Sequence, residues 1–279
     1  MKGSTRTEQK DKGCRMYKVG FIGFGNMAQA LAEGFLSLGK LKVEEVCAYA
    51  PHQEKLKKNC GRLQIAAMDS PGKLAEESDI LFIACKPHQV ADVLQEIDEK
   101  LKGKALVSIA AGWKYEQYEE LLHHSARVLC VMPNTPAMVG EGVFLFEEKC
   151  SLETGEKEFL TDLFGSVGIV KELPTELMAV GTAVTGCAPA FVDMLIEAYA
   201  DAAVKYGMKR EDAYPLISKM VLGTAKLQLE TGIHPGVLKD QVCSPGGTTI
   251  CGCAALEKAG FRGACIGSVD AVMEKIKGR

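Results

Sequence analysis

The chain has little from which to build a metal centre. It carries five histidines, and none of its eleven cysteines forms a C-x-x-C pair, so the ligand spacing that opens a zinc site is missing. Cys251 and Cys253 are two apart in a stretch that reads as helix and therefore point to different faces. No metal is expected. No uninterrupted apolar run approaches the roughly 18 residues of a membrane span, so a soluble chain is expected. A disulfide framework is also out of place, because the cysteine count is odd and no apolar signal segment precedes it. Cys85, Cys130 and Cys187 lie inside apolar runs, where they read as small buried hydrophobes. These features point to a reducing cytoplasm. The 33 basic residues face 36 acidic ones for a net charge of -3. They form no dense stripe, so neither nucleic acid nor membrane is an expected partner. What remains is ordinary for a globular enzyme: 47% hydrophobic and 25% charged residues over 279 positions, or one large or two medium domains at about 150 residues each.

Residues 1–15 are polar, basic and aperiodic, the signature of a disordered lead-in. From Lys18 an apolar run ends in glycines, and Met27, Leu31, Phe35 and Leu38 follow at helical spacing. Further apolar runs at Glu45–Tyr49, Ile80–Ala84, Ala105–Ile109 and Val128–Met132 are separated by polar or helical stretches such as Asp92–Leu101 and Tyr115–His123. That alternation implies an α/β fold, a doubly wound parallel sheet wrapped by helices. Beyond Gly168–Leu173 the texture changes. Glu176 to Tyr206, Arg210 to Thr231 and Thr248 to Gly260 favour helix formers, and residues 174–279 hold eleven basic and eleven acidic side chains against 16 and 23 in residues 19–173. The expected division is a lead-in at 1–15, a dinucleotide-binding domain at 16–173 and an all-helical domain at 174–279.

The strongest local signal runs from Ile22 through Gly23-Phe24-Gly25-Asn26-Met27-Ala28. Its glycines let the backbone approach a pyrophosphate that the following helix N-terminus attracts, and Ala28 stands where a third glycine would allow close helix–strand packing. A merely tight strand-to-helix turn is the alternative. After the second strand, Tyr49-Ala50-Pro51-His52 offers no acid to bind a ribose 2′-hydroxyl, and Lys55, Lys57 and Lys58 lie close behind. NADPH is therefore favoured, with NADH the alternative, although the lysines also suit a solvated helix face. Three more strands close on candidate cofactor residues. Ala84-Cys85-Lys86-Pro87 is the first, Ala110-Ala111-Gly112 the second, and Asn134 between Pro133 and Thr135 the third. Each could equally be a turn. Near the C-terminus, Ser244-Pro245-Gly246-Gly247-Thr248-Thr249 lies just before a helix, where free N–H groups and hydroxyls suit one small carboxylate. Helix capping by the threonines is the plainer reading.

From about Met16 to Lys277 the chain resembles the pyrroline-5-carboxylate reductases. The resemblance rests on the GFGNMA turn, ACKP, SIAAG, RVLCVMPNTPA, the TGCAPAF stretch from Thr185 to Phe191 and, most specifically, LKDQVCSPGGTTICGCAALEKAGF from Leu238 to Phe261. It implies a Rossmann domain followed by a helical dimerisation domain, and reduction of 1-pyrroline-5-carboxylate to L-proline. It also implies that Ser244, Gly246, Gly247, Thr248 and Thr249 hold the carboxylate, with the Thr249 hydroxyl near the ring nitrogen as the catalytic contact. Gln241 borders the same loop. A β-hydroxyacid dehydrogenase is the nearest rival, but it needs a basic group in the first helix of the second domain. Leu177 to Val204 contains no lysine or histidine. The long apolar face of Met194, Leu195, Ala198 and Ala202 implies an obligate homodimer, and a decamer of such dimers is the larger assembly the pattern allows.

Overall fold

A computed structural model of the chain describes residues 17–278, so the expectation for residues 1–15 falls outside the described residues. Eight strands form one sheet: β1 (Tyr17–Ile22), β2 (Val46–Tyr49), β3 (Ala66–Ala67), β4 (Ser78–Ile83), β5 (Ala105–Ser108), β6 (Arg127–Met132), β7 (Gly142–Glu147) and β8 (Gly168–Leu173). Their order is β3-β2-β1-β4-β5-β6-β7-β8, and β1 to β6 are parallel. Ile22 is level with Tyr49 and Ile83, and Ile83 with Ser108, so the C-terminal ends of these strands share one edge. The chain reverses its direction of growth between β1 and β4, which is the switch point where open α/β sheets bind ligands.

The central strands bury both faces, which is why they read as continuous apolar runs. Phe21, Phe82, Val107, Leu129 and Val131 point into one core with Leu31 and Phe35 of α1 (Asn26–Ser37), Leu56 and Cys60 of α2 (Gln53–Leu63), and residues of a later helix at Thr154–Gly165. Ile22, Leu81, Ile83, Leu106 and Val128 alternate into a second core. It is closed by α3 (Pro71–Glu77), α4 (Val90–Ile97) and α5 (Tyr115–Leu122). The helix at Thr154–Gly165, α6, supplies Phe164, whose ring lies 4.9 to 5.8 Å from those of Phe35, Phe82, Phe144 and Phe146.

The pattern of runs missed β7, which pairs antiparallel to β6 with Val131 opposite Phe146. A parallel return needs a crossover of about a dozen residues or more. Residues 133–141 are fewer than that and are largely taken up by a 3-10 turn at Thr135–Val139, so the chain doubles back. β8 then pairs parallel to β7.

By packing, the chain divides between Thr182 and Ala183. The helices from α7 onward are α7 (Met178–Gly181), a π-helical turn at Thr182–Cys187, α8 (Ala188–Lys205), α9 (Arg210–Thr231), α10 (Pro235–Gln241), α11 (Thr248–Lys258) and α12 (Phe261–Lys277). Among the described residues of the second unit none belongs to either apolar core, and only Ala183, Ala200 and Ala213 are buried. Although no uninterrupted apolar run reaches the length of a membrane span, the helical stretch Thr175–Lys205 has mean hydropathy 1.6 over its best window. By length and composition it could cross a membrane, with 11% of that window buried.

Candidate functional site

The turn after β1 approaches the end of β4 so closely that only glycine fits at its first position. Gly23 has φ +92, and a Cβ there would lie 2.5 Å from Cys85 N and 2.6 Å from Ala84 O. Its amide donates to Tyr49 O at 2.8 Å. One turn therefore ties the ends of β1, β2 and β4 together. Ile22 and Phe24 are buried beneath it, and the Gln29 amide donates to Phe24 O at 3.0 Å, holding the turn against α1. Gly25 differs. It is exposed, adopts an extended conformation as the helix N-cap, and a Cβ there would meet nothing within 4 Å. The first turn of α1 carries no acidic residue and no side-chain cap. Asn26 is exposed and Met27 half-buried, so open space and free N–H groups coincide. That is the shape and polarity a pyrophosphate requires, and the residues present fit a dinucleotide.

Around that turn the other strand ends hold the sequence candidates on the same edge. Ala50 is half-buried, and its carbonyl accepts from the Gln53 amide at 3.1 Å. Gln53 also donates to Met68 O at 3.3 Å, leaving its Oε1 buried and unpartnered. The sequence reading had passed over Gln53, for nothing separates it from any polar residue at a helix start. Lys55, Lys57 and Lys58 are exposed. Ala84 and Cys85 are half-buried, Lys86 is exposed, and Ala84 N donates to Ile22 O at 2.8 Å.

Two further residues that the sequence reading missed brace these loops. Trp113, the only tryptophan of the chain, donates from its indole nitrogen to Pro87 O at 2.9 Å. Its ring lies 5.0 Å from that of Tyr118. The Tyr118 hydroxyl is buried 2.6 Å from Ser108 Oγ, which in turn accepts from Ala110 N at 3.2 Å. Burial pushes the Tyr118 phenol well above its ordinary range, so it stays neutral. Ala111 and Gly112 lie exposed at the tip of this braced loop. Asn134 is buried, and its Oδ1 accepts from Val143 N at 2.8 Å. That bond fixes the β6 loop against the start of β7. Below it, the buried Glu147 carboxylate accepts from Tyr115 N at 2.9 Å and from the Thr175 hydroxyl at 2.6 Å. Burial, with Glu147 nearby, holds the Cys130 thiol far above its usual pKa; it is inert packing.

In the second unit, Ser244-Pro245-Gly246-Gly247 forms a tight turn in which Gly247 N donates to Ser244 O at 2.9 Å. Proline at the second position and Gly246 at φ +69 are what a type II turn requires. The turn delivers the chain into α11, whose N-cap is Gly247 with no side-chain cap. Gln241, Ser244, Thr248 and Thr249 are exposed, and among the described residues the hydroxyls of Thr248 and Thr249 make no hydrogen bond. The capping role open to the threonines is therefore not taken. Asp240 is engaged by the neighbouring Lys239. A compact anion would meet uncapped amides and free hydroxyls here.

Comparison with known proteins matches the two ends of the chain to separate families. The pyrroline-5-carboxylate reductase dimerisation family matches residues 175–278, and a family described as NADP oxidoreductase, coenzyme F420-dependent, matches residues 18–112. The pyrroline-5-carboxylate reductase of Treponema pallidum is 42% identical over 259 residues, 91% of this chain and 98% of that one. That of Escherichia coli is 39% identical, covering 92% and 96%. Among solved structures, Plasmodium falciparum pyrroline carboxylate reductase with NADP bound superposes with a TM-score of 0.85 at 34% identity. The match covers 95% of this chain and 99% of that one.

Proposed function

The chain belongs to the pyrroline-5-carboxylate reductase family and is an oxidoreductase that reduces 1-pyrroline-5-carboxylate to L-proline, the last step of proline biosynthesis; we propose which of its residues carry the reaction. NADPH is the cofactor, as for the Plasmodium falciparum relative with NADP bound, and NADH is the alternative. Ile22 to Met27 hold its pyrophosphate, Gly25 by the space it leaves and Asn26 and Met27 by their N–H groups. Ala50 borders the ribose. Ala84 to Pro87 and Ala110 to Gly112 flank the remainder of the cofactor, and Asn134 keeps the β6 loop in place beside it.

Ser244, Gly246, Gly247, Thr248 and Thr249, with Gln241 at the margin, bind the imino acid through its carboxylate. The Thr249 hydroxyl orients the ring nitrogen. When bound, the reduced nicotinamide supplies the hydride that the imine carbon accepts. The chain's own part is positioning, and no strong acid is required of it if the imine enters protonated. The observation that carries this assignment is the pair of unpartnered threonine hydroxyls at the uncapped start of α11.

The protein is a homo-oligomer; we assign it an obligate dimer, with a decamer of dimers as the larger form, domains at 16–173 and 174–279, and the cytoplasm as its compartment. All ten described cysteines are free, which suits that compartment. Absorbance loss at the reduced-nicotinamide band, with the imino acid and either NADPH or NADH and with proline identified as product, tests the reaction and cofactor choice. Thr249→Ala is expected to raise KM for the imino acid or lower kcat by about tenfold or more while NADPH affinity stays within about twofold. Equal loss of both would mean that the change damaged the fold, and unchanged kcat and KM would remove Thr249 from the substrate site.

A further inference from the structure

The segment from Cys243 to Cys253 brackets the whole proposed carboxylate loop, and its two end residues touch. Cys243 Sγ lies 3.8 Å from Cys253 Sγ. Both side chains are half-buried within the single chain, whereas Cys47, Cys60 and Cys130 are sealed in the other unit. Cys243 directly precedes Ser244, and its amide donates to Asp240 O at 3.1 Å. Cys253 sits one turn beyond Thr249 on α11. Bond formation at about 2.05 Å requires the sulfurs to close by roughly 1.8 Å, a distance that rotation about the side-chain bonds supplies.

We propose that Cys243 and Cys253 are a reversible dithiol switch, whose oxidation to an intramolecular disulfide by a low-molecular-weight disulfide disables the substrate loop. The inference rests on the reading of that loop as the carboxylate site. In the first step one of the two thiolates, its proton released to solvent, attacks a sulfur of the reagent RSSR, forming a mixed disulfide and expelling RS⁻, which takes up a proton. The second thiolate then attacks the protein sulfur of that mixed disulfide, expelling the second RS⁻. Two protein thiols lose two electrons and two protons, and RSSR gains both to become two RSH.

The link would bind the residue before Ser244 to the second turn of α11. Held at both ends, the Ser244–Thr249 segment would lose its freedom to adjust around a bound carboxylate. Burial, and next the hydrogen bond and charge interaction shared with Cys253, raise the Cys243 thiol pKa, partly offset by Lys239. The switch therefore responds slowly, to sustained oxidation.

The test uses the full-length oligomer incubated with oxidised glutathione, followed by peptide mass analysis and by activity before and after dithiothreitol. The expected result is a peptide pair lighter by two hydrogens joining Cys243 to Cys253, with kcat/KM for the imino acid lowered at least tenfold. NADPH affinity should stay within twofold, and reduction should restore activity. Cys253→Ser and Cys253→Ala should match the untreated protein when reduced and resist this loss. The proposal is overturned if no such link forms, if the linked protein keeps full activity, or if the Cys253 variants are inactivated equally. Thr249→Ala in reduced protein reads the loop assignment independently, so failure of the switch and failure of the carboxylate site give different results.

Discussion

Gly23 and Gly25 stand two residues apart and call for opposite experiments. The motif made both legible in the sequence, but not their separate duties, because those depend on what lies across the sheet. At Gly23 the neighbour is the backbone of Ala84 and Cys85, and φ is +92. Gly23→Ala should therefore destabilise the fold by about 1–3 kcal/mol or more from backbone strain and contact, visible as a Tm lower by several degrees. Gly25 faces open space at φ -78, so Gly25→Val should leave Tm nearly unchanged and weaken NADPH binding at least tenfold; retained affinity would remove the pyrophosphate from this turn. Asn134 was equally legible as a candidate, but its bond to Val143 N was not, since it depends on a strand the sequence pattern had passed over. Cys47 gives the pH dependence. It is buried against Ser78, and burial raises its thiol pKa from 9.0 to about 12. A raised folded-state pKa means stability is whole below about pH 9 and declines as pH climbs toward 12. In Cys47→Ala, denaturant titrations between pH 8 and 11 should show a smaller alkaline loss than in the parent chain, by on the order of 1–3 kcal/mol.

At the scale of elements, the loops after β4 and β5 are held by one another as well as by their strands. The Trp113 indole hydrogen bond to Pro87 O and the Tyr118–Ser108–Ala110 chain fix the two walls of the proposed cofactor edge. Trp113→Phe keeps an aromatic ring against Tyr118 and removes the donor. KM for NADPH should rise roughly three- to tenfold, with a stability change of about 1 kcal/mol or less. An unchanged KM would show that the brace serves the fold alone. The β1, β2, β4, β5 and β6 segments were legible because both faces are buried and their apolar runs are unbroken. β7 was not, because its antiparallel partner is set by a connection too short to cross over. α12 fell within the stretch expected to be all-helical but was not delimited there: Gly263, Gly267 and Ser268 dilute its helical propensity, and its apolar side chains, such as Ile266 at 64% exposure, find no cover within the chain.

That lack of cover governs the whole molecule. Met194 at 68%, Leu216 at 59%, Leu229 at 75% and Ile266 at 64% exposure are spread over α8, α9 and α12, and the second unit has no core of its own to offset the entropy of ordering its helices. Two environments could cover such faces, a membrane or a second copy. The hydropathy of Thr175–Lys205 fits either by itself. The exposed apolar residues, however, continue onto α9 and α12, whose charged residues Lys219, Lys226, Glu230, Asp270 and Glu274 interrupt any lipid-facing band. The match of residues 175–278 to a dimerisation family favours the second copy. If association completes the fold, Tm must rise with protein concentration, and Met194→Glu should shift the sedimenting species toward monomer while lowering Tm steeply, with no recovery on adding lipid vesicles. A concentration-independent Tm together with partitioning of the parent chain into vesicles would transfer the apolar face from a protein partner to a bilayer.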